Sequence, residues 1–262
     1  MKRSIVGALL LSGTVLTQMA NAADMVTPVV PEAKVIETPG GWTFAFSPYF
    51  WAAGLSGKTS QFGLPTVNIH SNFSDIWDNL DFAAMAIGEA RYGRYSFFGD
   101  LLYTKISTGS ATPRGILANS VAVKSETFAG TFGAGYSLLQ SGPSHLDIVG
   151  GVRVWSVNSH LSFDGGVLDG VSRGDHATWV DGIAGLRGNY FITPHVYLTA
   201  WGLVGAGQAK IDWDVAGGLG YKFNDRISAL AGYRALGVNY SHDGFSFDAV
   251  QQGPILGMVV HF

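Results

Sequence analysis

From Trp42 onward the sequence reads as ten long segments in which apolar residues alternate with small or polar ones. A period of two sustained over that length is the signature of strands with two different faces. The segments are Trp42 to Gly57, Phe82 to Tyr92, Ser96 to Ile106, Ser125 to Leu139, His145 to Phe163, Thr178 to Ile192, Val196 to Gly207, Trp213 to Phe223, Ile227 to Tyr240 and Phe247 to Phe262. Strands of soluble domains usually run to about five or six residues, whereas a tilted membrane crossing takes about 9 to 11. In Trp213 to Phe223 one parity holds Trp213, Val215, Gly217, Leu219, Tyr221 and Phe223, and the other Asp214, Ala216, Gly218, Gly220 and Lys222. One face suits lipid and the other a polar lumen, with aromatics at both ends of the apolar face.

Other segments repeat the pattern. Val180, Ala184, Leu186, Tyr190 and Ile192 point one way, against Asp181, Gly185, Arg187 and Asn189; in Ser125 to Leu139 the outward set is Phe128, Phe132, Ala134, Tyr136 and Leu138. The segments from Ser96, Val196 and Ile227 alternate less cleanly, and in the last a bulge near Gly237 would account for it. The connections alternate too. Gly93-Arg94, Gln140 to Ser144, Thr193 to His195 and Asn224 to Arg226 are tight, while Lys58 to Asp81, Ser107 to Lys124 and Asp164 to Ala177 are long, followed by shorter links at Gln208 to Asp212 and Ser241 to Ser246. Short turns on one side and longer loops on the other are what a barrel with both ends in the periplasm requires.

Only 13% of the residues are charged, against roughly a quarter in soluble domains, and 47% are hydrophobic. A formal charge of -3 gives no basic footprint for nucleic acid. The absence of cysteine excludes disulfide scaffolds, thiolate metal sites and cysteine nucleophiles. Lys2 and Arg3 precede an apolar run from Ile5 to Leu16, and Ala20-Asn21-Ala22 supplies a small-x-small cleavage pattern. Residues 1–22 therefore read as a signal peptide, 23–41, with Pro28, Pro31 and Pro39, as a flexible periplasmic leader, and 42–262 as the folded barrel. The apolar run falls short of the about 20 residues of a spanning helix.

In hydrocarbon each unpaired backbone group costs several kcal/mol, so a sheet crosses only without edges. The expectation is an all-β, closed antiparallel up-and-down transmembrane β-barrel of ten strands, with eight or twelve as the counts that a misread terminal strand pair would give. Leu256, Met258, Val260 and Phe262 share one parity and the sequence stops on Phe262. This resembles the last strand of bacterial outer-membrane barrel proteins, which implies Phe262 as the signal read by the barrel-assembly machinery. Arg91-Tyr92-Gly93-Arg94-Tyr95 with Asp100-Leu101-Leu102-Tyr103, and Gly232-Tyr233-Arg234, are similar to stretches in uncharacterised proteobacterial barrels, which implies a cell-outer-membrane location but no activity.

Charged residues of inward parity are the candidate site: Glu89, Arg91, Asp100, Asp147, Arg153, Asp181, Arg187, Asp212, Asp214, Lys222 and Arg234. Both signs are interleaved. They could line a selective path, relay protons or neutralise one another in a narrow lumen, and pairing is the expectation because buried charge must be compensated. In the first loop, Ser74 to Leu80 reads as a short helix capped by Ser74, with Asp75 in its first turn and Ile76, Trp77 and Leu80 on its apolar side; a lumen plug and a ligand contact are the alternatives to the expected packing on the rim. The histidines lack metal-site spacing, and no cofactor or metal is expected.

The function expected is non-enzymatic: a structural or surface-interaction barrel, or a very narrow pore, with lipid as its surroundings and no nucleic-acid partner. The alternative is an enzyme at the outer rim. Proteases of the omptin family are ten-stranded and use acidic residues with a histidine there; Asp164, Asp169, Asp175, His176, His242 and Asp243 are the candidates, but the family's paired acidic motif is absent. Ser241-His242 has the residue types of lipid A deacylases without their spacing.

Overall fold

Ten strands form the wall of the computed structural model, which describes residues 41–63, 65–111 and 118–262. The expected signal peptide and all but the last residue of the expected leader lie outside the described residues. The wall consists of β1 (Trp42–Trp51), β4 (Leu80–Tyr92), β5 (Tyr95–Ala111), β6 (Ser120–Ser141), β7 (Ser144–Asp164), β8 (Ser172–Phe191), β9 (Val196–Gly207), β10 (Ile211–Lys222), β11 (Ile227–His242) and β12 (Phe245–His261). Each pairs antiparallel with its neighbours, and β1 closes onto β12 from Ala45 opposite His261 to Trp51 opposite Ile255. A closed ten-stranded wall excludes the counts of eight and twelve. The wall leaves no free edge along the closing seam.

The long connections depart from expectation by being built of strand. β5 runs to Ala111, β6 starts at Ser120 and β8 at Ser172, so much of the expected loops Ser107 to Lys124 and Asp164 to Ala177 is wall. The expected loop Lys58 to Asp81 holds a hairpin of β2 (Gly54–Ser60) and β3 (Val67–Ser71), then α1 (Phe73–Asp78). The first predicted strand is also bent. Past Ala52 and Ala53 the chain continues as β2 along the first half of β12, with Ser246 opposite Ser60, and Ala52 N still donates to Pro254 O at 2.9 Å. Gly57 is required there: its φ is 150° and a side chain would run into the Asp248 carbonyl.

Parity assigns the faces as the sequence implies. Phe132, Tyr136, Val180, Leu186, Tyr190, Val215, Leu219 and Tyr221 are exposed on the outer surface, while Asp147, Arg153, Asp181, Asp212, Asp214 and Arg234 are buried inside. Aromatic contacts gather at the turn end, where Trp42 meets Tyr92 at 5.4 Å and Tyr95 meets Tyr136 at 5.4 Å. At the loop end Phe82 meets Tyr103 at 5.9 Å. Water-soluble monomers seldom expose a continuous apolar surface of this kind.

The three irregular segments alternate in space as regularly as the others, because apolar residues also occupy their inward positions. Phe98 and Leu102 in β5, Tyr197 and Leu203 in β9, and Leu236, Val238 and Tyr240 in β11 are all buried in the lumen. The bulge expected near Gly237 is not there: β11 pairs without a register shift through Gly237, opposite Trp213 on one side and Val250 on the other. Gly237 is instead covered by the Trp213 ring, which a side chain would strike. Register shifts fall at Leu80/Phe82 and at Ser137/Leu139.

The loop helix is capped by Asn72, two residues before Ser74, and stops at Asp78, so that Leu80 opens β4 instead of closing the helix's apolar side. Asn72 Oδ1 accepts from Asp75 N at 2.9 Å and Asp75 Oδ2 from Asn72 N at 3.1 Å, a reciprocal capping box. Ser74, inside the first turn, donates its hydroxyl to Asn72 Oδ1 at 2.6 Å.

The Gly57 bend gives a direct test. Gly57→Ala is expected to destabilise the folded barrel by about 1–3 kcal/mol through backbone strain and the clash with β12, while Gly217→Ala, on the open outer face with nothing within 4 Å, leaves stability unchanged. Urea titration of the folded protein in detergent or lipid measures both.

Candidate functional site: the lumen

The lumen is filled in three layers, counted from the turn end. In the first, Arg91 of β4 bridges Glu89 at 2.9 Å and Asp147 of β7 at 2.5 Å. Arg187 of β8 reaches Glu89 Oε2 at 3.4 Å and stacks over Phe98 at 4.3 Å. The Ser137 hydroxyl donates to Asp147 Oδ1 at 2.6 Å and accepts from Arg91 Nη1 at 2.9 Å. Two guanidiniums thus face two carboxylates, partly open toward the turn end of the barrel.

The second layer is sealed. Arg153 of β7 donates to Asp212 through Nη1, to Asp214 Oδ2 at 2.8 Å and, through Nε, to Thr131 Oγ1 at 2.8 Å. Arg234 of β11 donates to Asp214 Oδ2 at 2.7 Å, to Asp100 Oδ2 at 2.5 Å and to the Tyr49 hydroxyl at 2.7 Å. Tyr49 in turn donates to Asp100 Oδ1 at 3.0 Å. Two indoles complete the acceptors: Trp155 Nε1 on Asp212 Oδ2 at 2.7 Å and Trp201 Nε1 on Asp214 Oδ1 at 2.9 Å. The Arg234 guanidinium also lies 5.3 Å from the Trp51 ring and 5.5 Å from that of Trp201. Between this layer and the first lie a small apolar cluster of Phe98, Val149, Ile183 and Leu203 and a cavity of about 20 Å³ lined in part by Asp100, Arg153, Arg187 and Asp214. That is room for about one water.

The third layer, toward the loop end, is aromatic. Trp179 stacks on Trp155 at 5.8 Å and on Tyr240 at 4.2 Å with planes 6° apart. Phe247, Phe245, Val238 and Leu236 pack around them. The short β9–β10 hairpin makes this meeting possible. Its tip is tied low on the wall, with Ala209 N donating to Asp181 Oδ1 at 2.8 Å, Val180 N to Gln208 Oε1 at 2.7 Å and Lys210 N to Asn239 O at 2.8 Å. β8 and β11 rise past it, so Trp179 reaches Tyr240 across the gap.

Of the eleven charged residues that parity singles out, nine join these two networks: Glu89, Arg91, Asp147 and Arg187 in the first, Asp100, Arg153, Asp212, Asp214 and Arg234 in the second. Asp181 is buried but serves the hairpin tip, and its Oδ2 has no hydrogen-bond partner among the described residues. Lys222 turns away to Asp225 in the β10–β11 turn at 2.8 Å. Its ammonium holds the Asp225 carboxyl below the ordinary carboxylate range. The aromatic members, Tyr49, Trp155, Trp179, Trp201 and Tyr240, escape a search restricted to charge. Parity alone finds them, since Trp155 shares its face with Asp147 and Arg153.

The rim candidates do not assemble. His242 Nε2 meets Asp243 Oδ2 at 3.2 Å on an exposed hairpin tip. Asp175 accepts from Phe62 N at 2.6 Å, tying the β2–β3 hairpin to β8, and Asp169 accepts from Gly165 N at 2.8 Å. His176 lies exposed on the outer face of β8. Ser241 and His242 share the exposed end of β11.

No family model matches the sequence, and no curated protein matches it. Solved structures do. The outer membrane protease OmpT from Escherichia coli is 10% identical with a TM-score of 0.50, the match covering 88% of this chain and 100% of that one. The translocator domain of autotransporter NalP from Neisseria meningitidis is 13% identical, TM-score 0.46, over 86% and 90%. Ail, the attachment invasion locus protein of Yersinia pestis, is 12% identical, TM-score 0.37, over 85% and 99%. At such identities the likeness is one of fold, and the fold is that of outer-membrane β-barrel proteins.

Removing one guanidinium should reveal how much the sealed layer depends on pairing. Arg234→Ala leaves Asp100 without a cationic partner and Asp214 with Arg153 alone, and is expected to lower unfolding stability by about 3–5 kcal/mol. Lys222→Ala, whose partner Asp225 is fully in solvent, is expected to change it by less than about 1 kcal/mol. Denaturant midpoints of the two variants against the parent protein make the comparison.

Proposed function

We propose that this protein is a sealed, non-enzymatic barrel of the outer membrane, acting as a structural or surface-interaction protein and not as a pore. One observation carries the reading: Arg153, Arg234, Trp155 and Trp179 each expose 2% of their surface or less. A water-filled passage would wet them from one end or the other, so their burial through two successive layers supports a closed lumen.

The remaining parts follow from it. The apolar outer wall sits in lipid, the chain reaches the envelope through its N-terminal export signal, and the assembly machinery reads Phe262. With the lumen filled, contact with the surroundings falls to the tall strands β5 to β8 and the β2–β3 hairpin at the loop end. OmpT's name says that it is a protease; nothing in the rim geometry of the described residues supports that activity here, since the His242–Asp243 contact at the rim sits on an exposed tip.

Planar-bilayer recording tests the seal. The wild-type protein is expected to show no unitary conductance steps, and so is Trp179→Ala, because the ion-pair layer beneath the removed ring still fills the lumen. Steady unitary conductance from the wild type would overturn the closed lumen. Peptide or lipid A hydrolysis that disappears in His176→Ala or His242→Ala would overturn the non-enzymatic part.

A further inference from the structure

We propose that α1 is an outer-leaflet lipid anchor, with Trp77 as the side chain that enters the bilayer interface. The reading requires the barrel to lie in a membrane but is independent of whether the lumen is sealed.

The argument starts from Phe50. It shares the outward parity of Phe44 and Phe46 on β1 and is exposed, so it belongs to the apolar outer wall. α1 packs on that side and not in the lumen. Phe73 meets Phe50 edge-on at 5.8 Å, Trp77 meets Phe50 edge-on at 5.6 Å, and Phe73 and Trp77 lie 5.8 Å apart. Phe82 and Tyr103, on the outer face of β4 and β5, complete the aromatic girdle at the loop end. The helix therefore extends the wall's apolar surface outward without interruption.

Trp77 is 54% exposed in that position. A six-residue helix has too few internal hydrogen bonds to persist by itself. Of its two acidic residues, Asp75 is engaged in the capping box, while Asp78 is exposed at the helix's last position. Continuity with the wall selects the occupant. Whatever solvates Phe50 and Phe82 also reaches Trp77, and an indole with an apolar body and one N–H donor suits the boundary between acyl chains and headgroups.

The chain has no cysteine, so a spin label at Trp77→Cys is unique. In reconstituted bilayers its accessibility to oxygen and to a water-soluble nickel chelate is compared with Leu186→Cys on the outer wall and His242→Cys on the exposed tip. We expect the Trp77 label to resemble Leu186, favouring oxygen over nickel. Accessibility like that of His242 would place the helix in water and overturn the anchor; protection from both reagents would mean a protein covers it and would overturn it equally. Should the cysteine variant fail to fold, Trp77→Phe provides a second reading. Emission quenchable by lipids brominated near the headgroup should fall relative to wild type, and an unchanged quenchable fraction would refute the proposal.

Discussion

Every backbone amide and carbonyl in the wall must find a partner within the protein, because an apolar surrounding offers none. The seam between β1 and β12 is where that demand is hardest to meet, since it joins the two ends of the barrel sequence. Ala45 opposite His261 and Trp51 opposite Ile255 close the cylinder, and Phe262 N adds one more bond to Phe44 O at 2.9 Å. Beyond Trp51 the chain does not stop pairing with β12. It bends at Ala52 and Ala53 and resumes as β2, so β12 keeps a partner along nearly its whole length. Gly57 is the local consequence of that continued closure.

Closure then creates the second problem, an interior of fixed cross-section. Alternation guarantees that half of each strand's side chains enter it, whatever they are. Here the two solutions are stacked: guanidinium–carboxylate networks in the first and second layers, aromatic rings in the third. The indole N–H groups of Trp155 and Trp201 join these solutions, each ring packing with apolar neighbours while its N–H serves a buried aspartate. A carboxylate such as Asp214, which accepts from Arg153, Arg234 and Trp201, is costly to desolvate and is tolerated because those donors arrive from three different strands.

The wall was legible in the sequence because it depends on period and contrast. Where inward residues are polar, as with Asp181 and Arg187 against Val180 and Leu186, the faces separate on sight. Where the lumen is apolar the contrast vanishes: Leu102 beside Leu101, or Leu203 beside Val204, sit on opposite faces with identical chemistry. That is why Ser96 to Ile106, Val196 to Gly207 and Ile227 to Tyr240 read as irregular and why the pattern at Gly237 suggests a bulge. The nine networked charges were found by parity, but their sorting into two layers depends on register between strands, which a linear pattern does not contain. Asp181 shows the limit best. Its parity and burial match the others, yet its partner is a backbone amide at a hairpin tip, set by the height at which β9 turns into β10.

The ion pairs do something the wall cannot. Ladder hydrogen bonds join only neighbouring strands, so by themselves they leave a ten-stranded cylinder free to flatten. Arg153 links β7 to β10, and Arg234 links β11 to β5 and to β1. These are chords across the lumen. An apolar filling of equal volume could match their stability, but greasy contacts slide, whereas a planar guanidinium held between carboxylates and a phenol permits one separation and one orientation. The chords fix the cross-section at mid-depth, and a fixed cross-section is what lets Trp179 and Tyr240, on strands that are not neighbours, meet face to face above it.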